Sequence, residues 1–94
     1  MSADLRVDGA RLLASIEALG RHGALPGGGT NRLALSDADR AARDWTVAQM
    51  QALDMAVEID AIGNVFATYA GREDLPPVAT GSHISAVVPS PGWL

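Results

Sequence analysis

Cysteine and lysine are absent from this 94-residue sequence, and aromatic residues are scarce. Without cysteine there is no disulfide framework and no thiolate metal site, which makes a reducing cytoplasm the expected compartment. The seven cations are all arginines, spread from Arg6 to Arg72 with no stripe and no interleaved aromatics. Phosphate neutralisation needs a local positive patch, so this scatter, on a net charge of −4, argues against nucleic acid as a partner. No apolar run approaches the ~20 residues of a membrane span. The opening MSADLRVDGARLL carries acids where a signal peptide has a basic head and an apolar run. The expectation is a soluble cytoplasmic chain without membrane or nucleic-acid contacts. Trp45, Phe66, Tyr69 and Trp93 are the whole aromatic supply.

What is present is a globular composition, 48% hydrophobic and 19% charged. A chain of this length makes at most one small domain and buries only about 60–65% of the surface its unfolded form exposes. Alanine-rich helices contribute little buried area per side chain. A thin core follows, with marginal stability or a partner over an exposed face.

Asp8 is placed to cap a helix over residues 8–20, with Leu12, Ile16 and Leu19 at helical spacing and Leu13 widening the stripe. Gly23-Ala-Leu-Pro-Gly-Gly-Gly-Thr30 is too rich in glycine and proline to be other than loop. Ser36-Asp37-Ala38-Asp39 resembles a capping box with Asp in the usual Glu place, and predicts a second helix over 36–53. Its apolar face runs through Ala38, Ala41/Ala42, Trp45, Ala48 and Ala52/Leu53. Near Met55 the period drops from 3.6 to 2. Val57, Ile59 and Ala61 alternate with Glu58 and Asp60, Gly63-Asn64 makes a turn, and residues 64–70 return as a hairpin partner for 55–61. Residues 78–83, after Pro76-Pro77, read as a short buried third strand. The fold class expected is α/β: two N-terminal helices packed on a small sheet of about three strands.

His83 follows that third run, and side chains that carry chemistry in α/β sheets gather at the carboxyl ends of strands. Neutral imidazole is the commonest metal-binding side chain, yet a lone histidine is more often an ordinary surface or core residue. His22 lies just past the first helix, where a cation suits the helix dipole, so capping is the better reading than catalysis. Gly27-Gly28-Gly29 has no following Lys-Ser/Thr and does not make a phosphate loop. Asp60 with Gly63-Asn64 reads as hairpin structure. Asn31 and Arg32 stand in a loop next to the second helix.

Three ordered blocks narrow the reading: Gly27 to Asp44, Asp60-Ala-Ile-Gly-Asn-Val-Phe66, and Leu75-Pro-Pro-Val-Ala-Thr-Gly-Ser-His-Ile84. Together they resemble the start of the amidase/hydantoinase/carbamoylase metallohydrolases, a group that includes N-carbamoyl-L-amino-acid hydrolases and allantoate amidohydrolases. The resemblance covers about residues 9–84. It implies that residues 1–94 are a single partial domain, the N-terminal part of a larger metallopeptidase-like catalytic domain. It also implies that His83 matches the first metal ligand of a two-metal site. In that family Ile84 would be followed by Asp, then by Gly-Gly and by an Asp-Gly whose carboxylate bridges the metals, and Asn31 and Arg32 would lie near the catalytic cleft. Here Ser85 stands in the Asp position, and residues 85–94 form a divergent tail.

By resemblance the function is hydrolysis of linear carbon–nitrogen bonds in ureido or carbamoyl compounds, with Zn or Mn as cofactor and a small-molecule substrate. One imidazole cannot hold a metal pair that must clamp a water and polarise a carbonyl. Ser85 carries no charge to orient an imidazole ligand. This chain alone is therefore expected to bind no metal tightly and to be catalytically silent, with His83 as its one metal-site residue and no catalytic residue assigned. The alternative is a small non-catalytic α/β binding module or truncated gene product that self-associates or binds a partner through an uncovered sheet face.

Overall fold

The computed structural model describes residues 5–85. The element order is α1 (Gly9–Gly20), α2 (Asp37–Ala52), β1 (Ala56–Ile59) and β2 (Val65–Thr68). Both helices start where their caps place them. The Asp8 side chain accepts from the Arg11 N–H at 3.1 Å, and Ser36 Oγ accepts from the Asp39 N–H at 3.2 Å. Each satisfies one of the orphan donors of a first turn.

The capping box at α2 closes one residue further out than the sequence suggests. Asp39 does not return its carboxylate to the Ser36 N–H. It accepts instead from the Leu35 N–H at 3.1 Å, while the Ser36 N–H is taken by the Leu33 carbonyl at 3.1 Å. Leu35 adopts a left-handed backbone, φ 69°, and so turns its N–H towards the buried Asp39 carboxylate. Asp39 is thereby buried with its acceptor occupied.

After α2 the chain reverses through Asp54, also left-handed at φ 60°, and enters the hairpin. β1 and β2 pair antiparallel with Val57 opposite Ala67 and Ile59 opposite Val65. The expected alternation holds in β2, where Val65 and Ala67 are half-buried and Phe66 and Thr68 face outwards. In β1 only Val57 is half-buried, and Ile59 and Ala61, expected to face inwards, are exposed because β1 lies at the open edge of a two-stranded sheet. β1 packs on α2, and α2 on α1. Arg43 of α2 donates to the Gly63 carbonyl and so fastens the hairpin loop to the helix. Ala42, its neighbour, is the one hydrophobic side chain fully buried among the described residues.

The third strand expected over 78–83 does not form. The sheet has two strands, in the order β1–β2, and residues 75–85 lie outside any ladder, with Val78 wholly exposed. A short apolar run becomes a strand only when a neighbour offers its backbone groups, and no such neighbour is present among the described residues. The strands are also shorter than the ranges 55–61 and 64–70 expected from alternation. The predicted helices, by contrast, match to within a residue at each end.

The apolar stripe of α1 is uncovered: Leu12, Leu13 and Ile16 are 50–62% exposed. The radius of gyration, 15.5 Å, exceeds the roughly 12 Å of a compact domain of this length. No helix among the described residues is long and apolar enough to cross a membrane. The divergent tail lies almost wholly outside the described residues; Ser85 alone belongs to them.

Candidate functional site

His83 stands outside any helix or strand and is exposed, whereas Ile84 and Ser85 are half-buried. The residue that fixes this stretch is Arg32. Its Nε donates to the Ile84 carbonyl at 2.8 Å. Its Nη1 donates to the Leu19 carbonyl at 3.0 Å and to the His22 carbonyl at 2.8 Å. One guanidinium thus ties the last turn of α1 and the second residue after it to the Ile84–Ser85 peptide.

The loop between the helices is shaped to deliver Arg32 to that position. After α1 the His22 N–H still bonds the Leu19 carbonyl at 3.2 Å. Gly23 then turns left-handed at φ 84°. The Asn31 N–H returns to the Gly23 carbonyl at 2.8 Å, next to a bridge between Ala24 and Thr30. A Cβ at Gly23 would lie 2.5 Å from the Asn31 carbonyl oxygen, so only glycine admits this approach. The glycine run closes the tip: the Leu25 N–H bonds the Gly29 carbonyl at 3.1 Å and the Gly28 N–H bonds the Leu25 carbonyl at 3.0 Å. Arg32 follows directly from the closed base of this Ω-like excursion.

This corrects the reading of His22. The cation that meets the C-terminal carbonyls of α1 is the Arg32 guanidinium, and His22 takes part through its backbone. A guanidinium offers five donors in a fixed planar fork, which an imidazole does not. Sequence inspection placed Arg32 near the site but missed what it binds. The available signal was an arginine in the loop that follows a helix, whose last carbonyls have no partner inside the helix itself.

Asp60 is structural. Its Oδ1 accepts from the Asn64 N–H at 2.8 Å and the Ile62 N–H at 3.1 Å, and its Oδ2 from Asn64 Nδ2 at 2.9 Å. These bonds hold its carboxyl below the ordinary value of 3.8, the Asn64 side-chain amide contributing most. The Asp60–Asn64 block is thus a self-closed loop between β1 and β2, with Gly63 at φ 91°.

Among the described residues no group of three or more His, Cys, Asp or Glu side chains gathers as a metal cage. The structure brings together Arg32, the end of α1 and the His83 segment. It places Asp60 apart from them, in the hairpin loop.

No family model matches the chain. It is similar to ureidoglycolate hydrolase from Arabidopsis thaliana, 35% identical over 88 residues, which are 93% of this chain and 18% of that protein. It is also similar to N-carbamoyl-L-amino-acid amidohydrolase from Paenarthrobacter aurescens, 37% identical over 62 residues, 65% of this chain and 15% of that one. Among solved structures, an amidase of the hydantoinase/carbamoylase family from Burkholderia vietnamiensis superposes with a TM-score of 0.86 at 44% identity, covering 93% of this chain and 21% of that one. The chain spans about a fifth of the length of the relatives it matches.

Proposed function

We propose a function from one premise: this chain is homologous to a segment of the hydantoinase/carbamoylase-family amidases, which it matches in both sequence and backbone. The segment belongs to a metal-dependent hydrolase of linear carbon–nitrogen bonds, in ureido or carbamoyl compounds, and His83 supplies one of its metal ligands. The observation that supports this is the exposed imidazole of His83 on a segment anchored through the neighbouring Ile84 carbonyl. Zn or Mn, when bound to a complete site of this kind, activates a water and polarises the scissile carbonyl.

The donor set on the described residues does not fit a two-metal centre. His83 belongs to no group of three or more His, Cys, Asp or Glu side chains among the described residues, and Ser85 offers a hydroxyl where a charged group would orient the ring. No catalytic step is therefore derived for this length of chain. The described residues anchor and present one ligand and do not by themselves complete a site.

The test is direct. Purified chain with added Zn²⁺ or Mn²⁺ should release no ammonia from N-carbamoyl-L-amino acids above the buffer rate, and Ser85→Asp should not change that. Calorimetry should show Zn²⁺ binding no tighter than roughly millimolar, because a single imidazole lacks chelating partners. Metal-dependent turnover lost in His83→Ala would show that a second copy or an unrecognised ligand completes the site.

A second reading is favoured by the exposed aromatics of the hairpin: Phe66, on the outer face of β2, is 56% exposed, and Tyr69, just past β2, is 72% exposed. In it the chain is a non-catalytic α/β module that associates with a second copy over this face. A concentration-dependent change in sedimentation, abolished by Phe66→Ser, would support it against the hydrolase reading.

A further inference from the structure

We infer that Arg32 is a positioning residue: its guanidinium is the clasp that sets where the His83 segment lies against the end of α1. The clasp itself stands on the hydrogen-bond geometry, and only its value to catalysis rests on the proposed role of His83 as a ligand.

The two stretches joined by the Nε bond are 52 positions apart in sequence. Residues 75–85 belong to no ladder, and a Cβ added at Gly81 would meet nothing within 4 Å. The approach to His83 is therefore free of regular backbone pairing. The departure is not, because the Ile84 carbonyl is held at 2.8 Å.

A guanidinium is rigid and planar, so directions fixed at one nitrogen are fixed at the others. Nη1 is committed to two carbonyls, Leu19 and His22. These lie at and beyond the end of α1, the electronegative pole of the helix, which favours a cation. With the plane so held, Nε can point in one direction, and the Ile84 carbonyl lies there. Locating that carbonyl locates the peptide plane one residue beyond the His83 Cα. An ammonium at the same place is a point charge with rotating donors, and it cannot fix three carbonyls on two elements in one plane.

The experiment uses the whole chain, isotope-labelled, in solution. The wild-type chain should show a scalar coupling across the hydrogen bond from Arg32 Nε to the Ile84 carbonyl carbon, and His83 and Ile84 amides as ordered as those of α1. Arg32→Ala and Arg32→Lys should both drop the His83 and Ile84 amides to the mobility of an untethered segment, with the β1–β2 amides unchanged. Methylguanidinium added at millimolar concentration to Arg32→Ala should restore part of that order, and methylammonium should not. Rescue by lysine would reduce Arg32 to a charge near a helix end and overturn the inference. If Arg32→Ala does not fold, the wild-type coupling decides: its absence, or a mobile Ile84 in the wild type, overturns the clasp. Order at His83 is read without metal or substrate, so metal-dependent turnover by this chain alone would overturn the reading of an incomplete site and leave the clasp standing.

Discussion

The β1–β2 hairpin and the His83 segment are both short apolar stretches late in the chain, yet they are held by different means. The hairpin carries its own backbone ladder, a loop closed by Asp60 and Asn64, and a half-buried face packed on α2, with Arg43 as an additional tie. The His83 segment has no ladder, and its recorded side-chain tie is Arg32. The first is a unit whose stability is local and redundant. The second depends on a tertiary contact whose loss leaves little behind. Proteins commonly draw ligand-bearing segments from the less stable end of their structure, and under the function proposed for His83 the looser of these two stretches is the one that carries the ligand.

The strongest way to break the comparison is Gly23→Ala. The new methyl would sit in a left-handed backbone and within 2.5 Å of the Asn31 oxygen, with the Arg32 Cβ also close at 3.2 Å. A cost of about 2–4 kcal/mol is expected from the backbone conformation and the clash together. Urea unfolding should register the loss, and the His83 and Ile84 amides should loosen as they do in Arg32→Ala. Retained order at Ile84 would mean that Arg32 does not need this loop.

Ala42→Leu strikes the other region. Ala42 is fully buried on α2, so the added carbons must displace neighbours, at about 1–3 kcal/mol. The denaturation midpoint should fall while the Arg32 to Ile84 coupling survives under native conditions. If the coupling is lost as well, the two regions are not separable in the way described.

The smallest effect is expected at Asp60. Its carboxyl is held below its ordinary value of 3.8, first by the Asn64 side chain and then by the Asn64 N–H. The folded state therefore prefers the ionised form. The stability it contributes is present above pH ~4 and is lost as pH falls through the lowered folded value. Asp60→Asn should flatten the stability–pH curve below pH ~4 and leave the neutral-pH fold intact. The group is fully exposed, so the change will be slight. A mutant curve that falls as steeply as wild type would assign the acid sensitivity elsewhere.

How much of this was legible from the residues alone depends on how far apart the partners lie. Asp8 and Ser36 cap their helices through atoms three residues away, and Val57 alternates with Glu58 within one strand, so the helices and hairpin could be read directly. The third strand could not. Valine and alanine at 78–79 form a short apolar run, but among the described residues no backbone partner meets them. The hairpin role of Asp60 was visible because its acceptors and donors are all local. The role of Arg32 was hidden because its three carbonyls come from positions 19, 22 and 84, and carbonyls carry no residue signature. Every residue offers one, so composition and spacing cannot tell which a guanidinium will choose.

The same separation orders events in time. The Asp60–Asn64 loop closes over five residues, and the hairpin it joins can form within microseconds of its strands meeting. The Arg32 bond must close 52 positions of chain, and α1, the glycine turn and α2 must stand before the guanidinium has a plane in which to wait. Loop closure over such a span is costly until the intervening elements shorten it. His83 is therefore delivered last, to a surface already assembled, and during refolding its segment is the longest exposed to whatever else is in solution.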